Sequence, residues 1–135
     1  MNSRGPATGG KSAMADSARD PAPILDIAHL SAQTCGDQAL QREILALFIG
    51  QTGEILATLG DPAALPAARA DLIHKLIGSA RAIGAFDLVA VAEAAEAGFR
   101  AGHSAPSAFQ NLPAAGERAV AAVQAHLAVL AARGD

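Results

Sequence analysis

The chain has 135 residues, 51% of them apolar, with ten Lys and Arg set against thirteen Asp and Glu. That length suits a single core, and a formal charge of −3 with scattered basic residues excludes nucleic acid as a partner. A lone cysteine, Cys35, rules out an internal disulfide and a cysteine metal cage, and no charge-free apolar run reaches the roughly 18 residues of a membrane span.

Aromatic residues make up only 3% of the chain, with no Trp or Tyr, so alanine and leucine supply most of its apolar surface. Both are favourable in helices, which predicts an all-α fold. Residues 1–23 are rich in Gly, Pro, Ser and Ala without apolar periodicity, and are expected to be a flexible tail preceding a domain over 24–135. Gly5 to Ser12, GPATGGKS, satisfies the spacing of a phosphate-binding loop. Such a loop works only between a buried strand and a helix, and no strand precedes Gly5. The N-terminus also lacks the apolar stretch of a signal peptide, so a cytoplasmic location is expected.

Beyond Pro23 the pattern becomes helical. A short helix is predicted over Asp26–Thr34, broken at Gly36. Asp37 caps a second helix that carries Leu40, Ile44, Leu47, Phe48, Ile55 and Leu59 at helical spacing and ends at Gly60-Asp61-Pro62. A third runs from about Ala64 to Ile83, with Gly84 as its C-terminal cap. The fourth starts near Asp87 and stops at Gly102. A last helix covers Ser107 to Arg133, with Pro113 expected to kink its first turns. Short connections make neighbours antiparallel, giving an up-down-up-down four-helix bundle with a short extra N-terminal helix.

The third helix carries the chemistry. At about 100° per residue, Leu65, Leu72, Leu76 and Ile83 fall within roughly 20° of the side opposite His74, which predicts a core stripe with the histidine aimed at solvent. Ala67, Ala70 and Gly78 lie within about 40° of His74, Arg81 within about 20° and Ile77 about 60° away, forming a low platform with one guanidinium nearby. Glycine costs about 1 kcal/mol relative to alanine at an exposed helix position, so Gly78 points to close approach by another molecule. A free imidazole titrates near ~6.5 and is a ready nucleophile at neutral pH. Phosphoryl transfer asks of it only access, aim and nearby positive charge, for which Lys75 and Arg81 are available.

The run from Ile73 to Ala85, IHKLIGSARAIGA, resembles the signature of histidine-containing phosphotransfer (HPt) domains, in which a histidine is followed by x-Leu-Lys-Gly-Ser/Ala-Ser/Ala-x-x-aliphatic-Gly. His74, Leu76, Gly78, Ser79, Ala80, Ile83 and Gly84 match; Ile77 stands where the family has lysine. Asp26, Leu30, Gly36, Asp37, Leu40 and Phe48 are similar to the family's opening helices, so the resemblance covers about residues 25–133. It implies a four-helix bundle, phosphorylation of a ring nitrogen of His74, and exchange with receiver-domain aspartates of hybrid histidine kinases and response regulators. Such a protein is a phosphoryl carrier rather than a free-standing enzyme. It holds no cofactor, Mg²⁺ coming with the receiver, and it acts as a monomer.

On this reading Lys75, Arg81, Gly78 and Ser79 support His74, while Ile77, Ala67 and Ala70 form the docking surface. Ser79, about 140° from His74, is expected near the core. His29, His103 and His126 share no metal-ligand spacing, and Cys35 reads as structural. Glu93 and Glu96 read as a solvated face of the fourth helix, and Gly84 as a cap alone. Two rival readings remain open: a helical adaptor without the chemistry, and a histidine-kinase dimerisation module.

Overall fold

A computed structural model describes residues 22–134. The expected tail and its Gly5–Ser12 pattern lie outside the described residues, apart from Ala22 and Pro23. Six helices follow in chain order: α1 (Ile27–Gln33), α2 (Gln38–Leu59), α3 (Pro66–Ile83), α4 (Phe86–Arg100), α5 (Ser107–Gln110) and α6 (Leu112–Arg133). The first two are capped as their sequences predict. Asp26 accepts the backbone N–H of His29 at 3.0 Å, and Asp37 accepts that of Leu40 at 3.0 Å. Each carboxylate satisfies an N–H that has no partner inside its helix.

Two predicted boundaries are corrected. Helix α3 begins at Pro66 rather than Ala64, because proline at the first helical position forfeits no hydrogen bond. Leu65 becomes the residue before the helix and is 70% exposed, so it leaves the predicted core stripe. The last helix is not one kinked rod. It divides at Asn111 into α5 and α6, and Pro113 opens α6 instead of bending it. A continuous helix would drive the Pro113 ring against the carbonyl four residues earlier, whereas a new start places the ring where it is tolerated.

The four long helices pack in cyclic order, α2 on α3, α3 on α4, α4 on α6 and α6 on α2, with α1 laid on α3. The start of α6 meets the C-terminal half of α2, where Gly116 faces Leu56 and Thr52. The two-residue corner Gly84–Ala85 folds α4 back along α3. The result is the all-α, antiparallel up-down-up-down bundle that the sequence predicts. Phe48, Leu45, Ile73, Leu76, Leu88 and Leu130 are among the fully buried side chains at its centre. Among the described residues no helix is long and apolar enough to cross a membrane.

Gly84 does more than cap. Its φ of +89° is left-handed, and a Cβ there would come within 2.8 Å of the Asp26 carbonyl oxygen. The Asp26 N–H donates to the Gly84 carbonyl at 2.9 Å, and the Asp87 N–H donates to Pro23 at 2.9 Å. Only glycine combines that backbone conformation with so close an approach. Residues 23–26 are thereby fastened to the α3–α4 corner, which carries α1 onto the end of the histidine helix.

Candidate functional site

Helices α3 and α4 form the most extensive pairing in the bundle. Ala70 and Ala80 on α3, and Ala92 and Ala95 on α4, are fully buried. Small side chains at a helix interface let the two backbones approach closely, so residues flanking the seam on either helix come within side-chain reach of one another.

His74 stands on this flank. The buried residues of α3 are Ala70, Ile73, Leu76, Ile77, Ala80 and Ile83. At about 100° per residue they occupy an arc from roughly 40° to 180° on one side of His74. The core side of α3 is therefore turned toward α4 relative to the predicted leucine stripe, and Leu72 is only half-buried. His74 is not opposite the core but beside its α4 edge, with its side chain 72% exposed.

That rotation corrects two expected docking residues. Ile77 is only 3% exposed and Ala70 is fully buried, so neither offers surface to a partner. Ile77 packs in the interior, which is why an aliphatic residue is stable where a lysine would have to reach outward. Ala67 remains exposed on the His74 side of the helix. Gly78 is exposed too, and a Cβ added there would meet nothing within 4 Å. No internal packing contact requires glycine at that position.

The side chain that bonds His74 is one that the sequence pattern assigns to a solvated face. Nδ1 of His74 lies 3.0 Å from Oε2 of Glu96 on α4. The Glu96 side chain is only 19% exposed and is itself held. Nη2 of Arg100 donates to the same Oε2 at 3.3 Å and to Oδ1 of Asp71, on α3, at 3.1 Å. Asp71, Arg100, Glu96 and His74 form one chain of contacts that crosses the seam twice. A signal for it exists in the sequence. His74 stands ten residues before Gly84 and Glu96 twelve after it, so an antiparallel corner at Gly84 brings them level.

The residues expected to support His74 are dispersed. The Arg81 guanidinium is paired with Glu93 of α4, and the Arg81 carbonyl lies 2.9 Å from Nε2 of His29. A shallow groove between α1 and α3 is lined by His29, Gln33, Gly78, Arg81 and Ala82. Lys75 and Ser79 turn the opposite way, into a groove against Gln51, Glu54 and Thr58 of α2. There Ser79 Oγ donates to Gln51 Oε1 at 2.9 Å, tying α3 to α2. Among the described residues, no three His, Cys, Asp or Glu side chains are grouped to hold a metal ion.

An exposed imidazole, oriented by a fixed carboxylate on a helix with an open glycine one turn on, presents a nucleophilic nitrogen to an incoming molecule. Comparison with known proteins gives this geometry a context. No family model and no curated protein sequence matches the chain. Among solved structures, it is similar to the histidine phosphotransferase ShpA from Caulobacter crescentus, with 32% identity and a TM-score of 0.66. The match covers 82% of this chain and 97% of that one. With the HPt signature around an exposed His74 and a near-complete match to a histidine phosphotransferase, the chain belongs to the histidine phosphotransferase (HPt) family.

Proposed function

We propose that this protein is a phosphoryl carrier in which His74 accepts a phosphoryl group from the aspartyl phosphate of a receiver domain and passes it to a second receiver. The supporting observation is His74 itself, the histidine of the family signature, standing exposed on α3 in a chain 32% identical to a histidine phosphotransferase. In the transfer, a lone pair of the imidazole forms the N–P bond as the acyl P–O bond breaks. The bonding electrons leave with the aspartate carboxylate of the partner. Mg²⁺ belongs to the receiver, which holds it with its own carboxylates.

Docking on this reading uses surface other than Ile77 and Ala70. Leu47 of α2 is 60% exposed and borders a groove with Ile44, Ser79 and Ala82, and Ala82 also lines the groove that holds Gly78. With Ile77 and Ala70 buried, Leu47 and Gly78 join Ala67 of the expected docking set and leave His74 accessible at its margin. Lys75 has no ion-pair partner among the described residues. It can turn toward phosphoryl oxygens more freely than Arg81, which must first leave Glu93. The carrier works as a monomer in the cytoplasm, between a hybrid histidine kinase and a response regulator.

A second reading is favoured by Ile77 in place of the family lysine, namely an adaptor that binds receivers without taking phosphate. Incubation with a panel of radiolabelled phospho-receivers, beside a His74→Gln variant, separates the two. Acid-labile, alkali-stable label on the wild type alone supports the carrier. Binding without label supports the adaptor.

A further inference from the structure

The edge of the bundle opposite the α3–α4 seam carries a groove that phosphoryl transfer does not use. It runs between α2 and α6 with a volume of about 350 Å³. Ile49, Gly53 and Leu56 form one wall, and Gly116, Val120 and Ala121 form the other. The helices that build it are uncharged over long stretches: no Asp, Glu, Lys or Arg occurs over 44–53 of α2 or 119–132 of α6. Glu117 and Gln124 stand exposed at its mouth.

Thr52 lines the same groove. It is 1% exposed, and its Oγ1 has no hydrogen-bond partner among the described residues. A helical threonine can place its hydroxyl on a carbonyl one turn earlier. Thr34 does so with Leu30 at 2.9 Å, and Thr58 with Glu54 at 3.0 Å. Thr52 makes no such bond to Phe48. Buried hydroxyls are in the large majority paired, so one left free beside a groove is available to a partner from outside the chain.

We propose that the α2–α6 groove binds a small, uncharged aromatic molecule with one N–H or O–H, which gives Thr52 Oγ1 its missing partner. The inference is independent of the phosphotransfer reading, because α2 and α6 pack on the far side of the bundle from the α3–α4 pairing.

Size, charge and shape define the class. Sites for small molecules start at about 300 Å³ and combine apolar walls with a few polar groups. The uncharged walls offer no counter-ion to a charged ligand, whose burial without one is costly, and Glu117 disfavours an anion in particular. A Cβ on Gly53 would meet nothing within 4 Å, so bare backbone is open there to a flat ring. Across the groove, a Cβ on Gly116 would come within 2.6 Å of Leu56 Cδ1. Glycine thus lets Leu56 lie against α6, one turn on from Thr52 and on the same face of α2. Leu56 also borders a second groove of about 230 Å³, against Leu59, Phe109 and Pro113. Turning its side chain into that second groove opens the first one down to Thr52 without moving either backbone.

Indole and 1-methylindole test the proposal, since they share a ring system and differ in the N–H. Each is titrated into the ¹⁵N-labelled full chain and followed by ¹H–¹⁵N correlation spectra. Indole should give saturable shifts confined to 49–56 and 116–124, with a Kd of about 0.1–1 mM for a molecule of about nine heavy atoms. 1-Methylindole should bind about fivefold more weakly, the equivalent of one hydrogen bond. Thr52→Val keeps the shape and removes the hydroxyl, so it should weaken indole about fivefold and abolish the difference between the two molecules. Gly53→Leu has room at its Cβ and fills the groove, so it should fold with a dispersed spectrum and bind neither. Absence of saturable shifts at these residues overturns the proposal and leaves Thr52 to water. Equal binding of the two molecules, or a difference that persists in Thr52→Val, overturns it as well. Shifts of the same residues on concentrating the protein alone would assign the face to a second copy of the chain and also overturn it.

Discussion

The two sides of the bundle use polar residues in opposite ways. Along the α3–α4 seam, polar and charged side chains sit at the rim and are matched across helices: His74 with Glu96, Arg81 with Glu93, Asp71 with Arg100. Toward α2 and α6 several polar groups are buried instead, and two of them lack a partner among the described residues, Thr52 Oγ1 and His126 Nε2. Exposed ion pairs contribute little to stability, typically under about 1 kcal/mol, whereas an unpaired buried polar atom is a cost of about 1–3 kcal/mol. The rim charges are therefore poorly explained as stabilisers of the fold. Their arrangement makes sense as the setting of His74, while the stability of the bundle rests on the apolar interior that α2 and α6 share with the other helices.

This division predicts that stability and chemistry can be altered separately. The largest effect on stability is expected at Phe48, which is 2% exposed at the centre of the core. Phe48→Ala should lower the unfolding free energy by about 3–5 kcal/mol in urea titrations. The fraction that remains folded should still label with phosphoramidate at the wild-type rate. Lost labelling of the folded fraction would erase the distinction between the two sides.

Gly78 sharpens the comparison from the other side. Because a Cβ there meets nothing, Gly78→Ala should raise stability by about 0.5–1 kcal/mol. Gly78→Leu should slow transfer from a phospho-receiver about tenfold while leaving phosphoramidate labelling intact, since only a large partner is obstructed; tenfold corresponds to roughly 1.4 kcal/mol of barrier. Equal losses with both donors would place the defect in His74 rather than in docking.

His126 provides a pH-dependent test of the buried side. Burial, followed by the positive charge of Arg133, holds its pKa below the usual histidine value. The folded protein thus keeps His126 neutral over a range in which the unfolded chain takes up a proton. Its contribution to stability is complete above about pH 6.5, the unfolded value, and is lost as pH falls from there toward the lowered folded value. Urea midpoints at pH 7.5 and pH 5.5 should differ in that direction, and His126→Leu should reduce the difference. The smallest effect is expected from Arg81→Ala, which breaks an exposed pair and should cost less than about 1 kcal/mol. Calorimetry of that variant checks the claim that rim charges are not stabilisers.

Much of the fold was legible because its punctuation is local. Asp26 and Asp37 cap where capping residues should stand, Gly84 adopts the left-handed conformation of a terminating glycine, and His74 is marked by the residues around it. The rotation of α3 was not legible in the same way. A stripe drawn through Leu65, Leu72, Leu76 and Ile83 gives large residues the greatest weight, yet Ala70 and Ala80 are buried more completely than Leu72 because α4 lies so close. Leu65 misled for a different reason, since Pro66 starts the helix after it. Glu96 escaped notice because its partner is on another helix, and only the register about Gly84 links the two. Local signals singled out His74, whereas the carboxylate that bonds it depended on tertiary pairing.

The most direct test of the account is transfer from purified phospho-receiver domains to the wild type and to His74→Gln, followed by acid and alkali treatment of the product. Alkali-stable, acid-labile label on the wild type and none on His74→Gln is the predicted result. Equal label on both proteins, or none on either from every receiver and from phosphoramidate, would contradict His74 as the phosphoryl carrier.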